Sequence, residues 1–235
     1  MISCRGGSGM RRPMARGAGA LLLVLAGCGA LPMPEEPAPS AAPTEVPPAG
    51  FGTLRQDQFT LELRDGAVLL RATPLEEEVI RLAAPDSYRR LHGLAQQQRS
   101  ALRERPPPVA GGGEPVLLLV SFFSREGGIE FEPSEVAIES GGQLLRPLLV
   151  AGLTPGWGEQ RLRAQEPQSA IYAFGSALDL GQPFVLRYRN SSTDGWREIL
   201  PLLREEHARA RARAAAGWAE RGVGDRVVTL RGRTP

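Results

Sequence analysis

Phe59-Thr60-Leu61-Glu62-Leu63-Arg64-Asp65-Gly66-Ala67-Val68-Leu69-Leu70 is the stretch on which the reading of the fold turns. Phe59, Leu61 and Leu63 alternate with polar residues, Asp65-Gly66 interrupts, and Val68 and Leu70 resume the alternation. A period of two buries one face of a strand. Asp-Gly between two such segments predicts a hairpin with a type I′ turn, which needs positive φ at both central positions. Further along, Val116 to Phe123 is an apolar run of strand length, suited to a central strand buried on both faces. Shorter strands are expected at 129–132, 135–140, 143–150, 169–174 and 183–189, separated by Gly, Pro, Ser and Asp. Short strands punctuated by turns predict a sandwich or a barrel.

Helices interrupt this pattern twice. Thr73-Pro74-Leu75-Glu76 has the form of a helix start, with Thr as cap, Pro at the first position and Glu three residues on. Pro85 ends that helix, and Asp86 can cap a second one carrying Tyr88, Leu91, Ala95 and Leu102 on one side. Arg105-Pro106-Pro107-Pro108 stops it, and Gly111-Gly112-Gly113 links it to the β-rich half. After Asp194-Gly195-Trp196, residues 202–216 read as a helix with Pro201 in its first turn, Glu205 and Arg209 as an i,i+4 pair, and Gly217 as its stop. Residues 218–235 then read as a tail with one possible strand at 226–230.

Phe131-x-Pro133-x-x-Val136-x-Ile138 followed by Gly141-Gly142 resembles strands of immunoglobulin-like domains in bacterial envelope proteins. That resemblance spans about a dozen residues and implies no activity. The expected fold is mainly β within the α+β class: an antiparallel immunoglobulin-like β-sandwich with an inserted helical pair at 74–104 and a C-terminal helix. The domain is expected over 51–217, and the roughly 185 residues from 51 onward suffice to bury roughly 70% of the unfolded surface without disulfides.

Composition narrows the function classes. The 235 residues carry 28 cations against 26 acids, and every cation is arginine. Asn190 is the only asparagine. This bias towards Ala, Gly, Pro and Arg reads as a GC-rich genome, so arginine here is less diagnostic of phosphate recognition than usual. Two cysteines and two histidines leave no basis for a disulfide scaffold, a thiolate zinc site or an imidazole cluster.

The first fifty residues read as an address. Arg5, Arg11, Arg12 and Arg16 precede a short apolar run from Ala18 to Gly27, the pattern of an export signal rather than of a membrane span. A start at Met10 would make that signal more compact and Cys4 irrelevant. Pro13-Met14 after Arg11-Arg12 departs from a twin-arginine signal. Leu25-Ala26-Gly27-Cys28 resembles the lipobox of bacterial lipoproteins. The resemblance implies cleavage before Cys28, a diacylglycerol on its thiol, and recognition of Leu25, Ala26 and Gly27 by the processing machinery. Gly29 in the sorting position, where Asp would retain the protein in the inner membrane, implies the outer membrane facing the periplasm. In a bacterium with one membrane it implies the outer leaflet of the plasma membrane. Two or three acyl chains anchor durably where one would be marginal. Residues 28–50 then form a Pro/Ala-rich tether in which polyproline II gives a reach of roughly 70 Å.

Removing residues 1–27 takes away four arginines and no acid, leaving 24 cations against 26 acids. The basic character that remains lies beyond residue 200, where eight arginines face Glu205, Glu206, Glu220 and Asp225. A solvated helix face is the expected role of that run, with contact to envelope lipid or glycan phosphates as the alternative. An exported protein is not expected to bind nucleic acid.

Candidate sites are few. No Gly-x-Ser-x-Gly elbow occurs, and Cys28 would be lipidated. His92 and His207 each sit on an expected helix among charges, without a His-Glu-x-x-His arrangement. Glu76-Glu77-Glu78 lacks the alternating oxygen donors of a calcium loop and reads as helix-end stabilisation. No catalytic, cofactor-binding or metal-ligating set is expected. Trp157, between Gly156 and Gly158, is the expected ligand contact if its ring stands exposed on a turn to stack on a sugar or peptide. The alternative is an indole folded back over the end of the core.

Three functions are left open. The first is a non-enzymatic lipoprotein whose partners are the membrane, through its lipid, and an envelope protein or glycan. The second is an envelope hydrolase with dispersed carboxylate or Ser groups. The third, a solute-binding lipoprotein, would need alternating βα units or two lobes, and neither is visible.

Overall fold

The hairpin forms where the alternation places it. In the computed structural model, which describes residues 50–104 and 113–231 with side chains as far as 216, β1 (Leu61–Asp65) pairs antiparallel with β2 (Val68–Pro74). Asp65 lies opposite Val68, so the loop is Gly66-Ala67, and positive φ occurs at Gly66 alone (57°). That is the pattern of a type II′ turn rather than I′: glycine takes the first central position, and the second accepts alanine.

The β-rich half supplies β3 (Val116–Phe123), β4 (Ile129–Glu130), β5 (Val136–Ser140), β6 (Gln143–Leu145), β7 (Leu149–Gly152), β8 (Arg161–Leu162), β9 (Gln168–Phe174), β10 (Phe184–Tyr188) and β11 (Ser191–Thr193). They assemble into a five-stranded sheet of order β1-β2-β3-β9-β7, a four-stranded sheet β11-β10-β5-β6, and the small pair β4-β8. The pairings between these strands are antiparallel. The fold is therefore a mainly β, α+β, sandwich-like domain, with β3 at the centre of the larger sheet as its apolar run requires.

The expected strand 143–150 is in fact two strands. Pro147 has no N–H for a ladder, and the chain crosses there from the edge of one sheet, β6, to the edge of the other, β7. The expected strand 129–132 is only two residues long, and Phe131 beyond it is buried. β8 and β11 are too short to show a period.

The two larger sheets share one core. Leu61, Leu70, Val120, Phe122 and Tyr172 come from one, and Val136, Ile138, Phe184, Leu186 and Tyr188 from the other. Phe122 packs on Phe131 and Tyr188 at ring-centre distances of 4.6 and 5.5 Å. Both buried phenols are satisfied: Tyr172 donates to the Pro133 carbonyl at 3.0 Å, and Tyr188 accepts from the Glu132 N–H at 3.1 Å. Burial raises the pKa of each.

The helices begin later, or run longer, than their cap signals indicate. β2 continues through Thr73 and Pro74, so the expected start at 74 is displaced to α1 (Glu77–Ile80), with Glu76 at its cap. Pairing with β3 outweighs the local cap signal, since Thr73 lies opposite Leu119. In α2 (Pro85–Glu104) Pro85 is the first residue, and Asp86 sits inside the first turn instead of capping it. Leu91, Ala95 and Leu102 of α2 are buried, as their spacing predicts. Arg90 bonds to Gln56, and Arg99 donates to Glu76 at 2.7 Å. These ties lay α2 over the outer face of the five-stranded sheet, where Leu117, Ile171 and Ala173 are buried.

The final helix, α3 (Trp196–Arg231), has 36 residues. It starts six residues before the expected Leu202, places Pro201 inside the helix rather than in its first turn, and passes through Gly217. It also takes in 218–231, so the expected tail at 218–235 and strand at 226–230 are corrected to helix up to residue 231. Glycine costs a helix about 1 kcal/mol without ending it, and the Ala/Arg-rich sequence propagates the helix. Trp196 anchors its start: the indole is fully buried, stacks on Phe184 at 5.1 Å and donates to the Leu180 carbonyl at 2.9 Å. Among the described residues no helix is long and apolar enough to cross a membrane.

Candidate functional site

The segment that leads from residue 50 into the domain is stitched down on two sides. Gly52 N–H donates to the Arg81 carbonyl at 2.9 Å, Leu54 N–H to Leu82 at 3.0 Å, and Ala84 N–H to Leu54 at 2.9 Å. The approach at Gly52 is so close that a Cβ would lie 1.8 Å from the Leu82 carbonyl oxygen, which explains the glycine there. From the other side Glu206 of α3, fully buried, accepts from Thr53 N–H at 2.9 Å, Thr53 Oγ1 at 3.1 Å and Arg213 at 2.8 Å. Arg213 also donates to the Phe51 carbonyl at 2.8 Å. Burial pushes the Glu206 carboxyl up, but the bonds from Arg213 and Thr53 and the Arg213 charge outweigh it and hold it below the usual carboxylate range.

Beside this clamp, α1, the 178–181 turn and α3 enclose a trough. One part of about 380 Å³ is floored by Val79, Leu82, Leu180, Leu200 and Leu203. An adjoining part of about 350 Å³ reaches Gly50. Glu78, Leu82, His207 and Arg211 line both parts, so the trough runs along α3 from Leu200 to Ala214. Arg204, His207 and Arg211 form one wall, because residues three and four apart share a helix face. Glu78 stands on the opposite wall, beside Glu77 and Arg81, which pair with each other. Arg204 reaches the Gly181 carbonyl at 3.4 Å, while Glu78 and Arg211 make no ion pair among the described residues. An apolar floor between walls that carry charges of both signs fits an amphipathic segment better than a uniformly charged one.

The acidic triplet divides three ways. Glu76 accepts from the Leu117 N–H at 3.0 Å and from Arg99. Glu77 accepts from Tyr88 Oη at 2.8 Å and lies 3.0 Å from His92 Nδ1. Burial raises Glu77, but those bonds and the His92 and Arg81 charges prevail and hold it low. Burial and the Glu77 carboxylate in turn raise the Tyr88 phenol. Glu78 lines both parts of the trough, and Glu77 lines the part that reaches Gly50. The described residues contain no group of three or more His, Cys, Asp or Glu placed to hold a metal ion. Specific pairing of Glu76 and Glu77, rather than a helix dipole, accounts for them, since α1 is a single turn. His92 stacks on Tyr88 at 5.1 Å, half-buried, and His207 is exposed in the trough wall.

Trp157 opens a short 3₁₀ turn and folds back, half-buried, against Phe122 and Phe131 at 5.9 and 5.2 Å. Its ring lies over Gly152, where a Cβ would come within 2.5 Å of the indole. The folded-back arrangement is the one adopted. Leu25, Ala26, Gly27, Cys28 and Gly29 lie outside the described residues.

No family model matches the chain, and neither a curated protein nor a solved structure shows significant similarity to it. The class defined by fold and site is therefore a sandwich-like domain with a helix-walled trough beside its N-terminal clamp. Sequence reasoning reached neither the trough nor the clamp. Their residues come from 50–54, 77–82, 178–181 and 200–214, and the one local signal was the run Leu200, Leu203, His207 and Arg211 at helical spacing.

Proposed function

We propose that this protein is a lipid-anchored lipoprotein of the bacterial envelope, held by Cys28 in the outer membrane and facing the periplasm. Its domain serves as a non-enzymatic binding or assembly module for an envelope protein. The anchor rests on Leu25-Ala26-Gly27-Cys28 following a short apolar run. The observation that supports a binding role is the trough along α3, with its apolar floor and with Glu78 and Arg211 unpaired among the described residues. Because Gly50 lines the trough, a tether that begins at Cys28 would join the domain at the trough's own mouth.

Two experiments test the two halves separately. Palmitate labelling and mass spectrometry of the mature N-terminus are expected to find acylated Cys28, and Cys28→Ser is expected to release the protein from the membrane fraction. An unmodified Cys28 overturns the anchor. A photo-crosslinking residue at His207 or Arg211 is expected to capture one envelope protein in intact cells, and the same residue at exposed Arg89 none. Equal capture from both positions overturns the assignment of the trough.

A further inference from the structure

A larger recess than either part of the trough lies elsewhere, on the outer face of the five-stranded sheet just beyond the cover of α2, with a volume of about 540 Å³. Strand register puts Glu62, Arg71, Ser121 and Ser169 in one row across β1, β2, β3 and β9. Ser121 is out of place by sequence, a hydroxyl in the middle of the apolar run Val116–Phe123. Leu117, two positions along the same face from Leu119, is fully buried, whereas Ser121 and Phe123 are only half-buried. The polar row begins where the helix stops covering the sheet.

The hydrogen bonds of the recess specify a ligand chemistry. Ser121 Oγ and Ser169 Oγ are 2.8 Å apart. A pair of hydroxyls uses one proton on itself and keeps a second, together with free lone pairs, so it offers a donor and acceptors side by side. Arg71 Nε donates to Glu62 Oε1 at 2.7 Å, which occupies the guanidinium with a carboxylate while leaving further N–H groups and the other carboxylate oxygen open. The rim is ordered: Gln56 donates to Thr73 at 3.2 Å, and Thr60 bonds both Thr73 at 2.7 Å and the Gln56 carbonyl at 2.8 Å. Phe123 and Pro167 supply the apolar part of the lining.

We propose that this recess binds a neutral saccharide. Interleaved donors and acceptors match the hydroxyls of a pyranose, and the Phe123–Pro167 patch suits its C–H face. Asp57 and Glu62 line the recess, Asp57 paired with Arg55 and Glu62 with Arg71, so among the described residues of the recess no cation is left unpaired to draw a phosphate or carboxylate. A peptide strand finds no ladder to join at β2, β3 or β9, each of which is bonded on both sides. The assignment depends on neither the lipid anchor nor the α3 trough.

The test is calorimetric titration of the full chain, in a detergent without a sugar headgroup, against an N-acetylglucosamine trimer, maltotriose and inorganic phosphate. At least one of the two sugars is expected to bind with a dissociation constant of about 1 mM or tighter, and phosphate is expected to bind more weakly than that sugar. Ser121→Ala with Ser169→Ala is expected to weaken sugar binding about tenfold or more, the loss of one to two hydrogen bonds. Glu62→Gln, on an exposed side chain that threatens no core contact, is expected to weaken it severalfold with an unchanged melting temperature. The proposal is overturned if neither sugar binds at about 10 mM, if phosphate binds better, or if folded Glu62→Gln and the double-serine variant both bind as tightly as the native chain.

Discussion

Replacing Glu206 by alanine probes the clamp most directly. The carboxylate accepts three hydrogen bonds, two from Thr53 and one from Arg213, and sits fully buried on α3. Its removal leaves the Thr53 N–H without its partner and the Arg213 guanidinium with only the Phe51 carbonyl. Breaking a buried ion pair costs about 3–5 kcal/mol. Arg213 retains 26% exposure and can recover part of this from water, so about 3 kcal/mol is expected. In a domain of this size that lowers the melting temperature by about 6–12 °C. Urea unfolding followed by circular dichroism at neutral pH measures it, with Glu205→Ala as control, since among the described residues that exposed carboxylate pairs only with Arg209 and should cost under about 0.5 kcal/mol. The effect carries a pH signature. The folded pKa of Glu206 lies below its unfolded value. Its contribution is therefore fully present above the unfolded value of about 4.3 and fades as pH falls through the folded one. The gap between native and variant should narrow in acid. A gap below about 1 kcal/mol at neutral pH, or one that does not narrow in acid, refutes the clamp as described.

Gly52→Ala should be nearly as damaging, at about 2–4 kcal/mol, because its Cβ meets backbone at 1.8 Å; limited proteolysis is expected to cut near residue 52 in the variant and not in the native chain. Trp196→Phe should cost about 1–2 kcal/mol through the Leu180 carbonyl left unpaired, with Trp196→Ala near 3–5 kcal/mol, both read by urea unfolding. Gly152→Ala should push the Trp157 ring off Phe122 and Phe131, seen as a red-shifted emission in a variant that keeps Trp157 as its only tryptophan. All three tyrosines have raised pKa values, with burial the largest cause at each. Stability should hold below the unfolded phenol value of about 10 and fall as pH rises beyond it; ultraviolet titration should show ionisation of the fully buried Tyr172 and Tyr188 coinciding with unfolding, and more than one tyrosine ionising in the folded protein would contradict their burial.

How far the chain could be read depended on the range of the signal. Phe59–Leu70 announced its hairpin because alternation is local, and Val116–Phe123 announced a central strand because an apolar run of that length has to be covered on both faces. The helix start at Thr73-Pro74 misled, because pairing across to Leu119 keeps those residues in β2. Nothing local marked β8 or β11, at two and three residues. At Trp157 the flanking glycines allowed either orientation, and the contact with Phe122 and Phe131 that decides between them lies 26 or more positions away.

By itself the sequence determined the class of the fold and the amphipathic face of α2, since each follows from periodicity within a dozen residues. Only the tertiary structure decided where charge would be buried and where a ligand could rest. Thr53 meets Glu206 across 153 positions, and Ser121 meets Ser169 across 48. Hydrogen bonds of such separation are set by strand register and helix placement, and no local propensity records them.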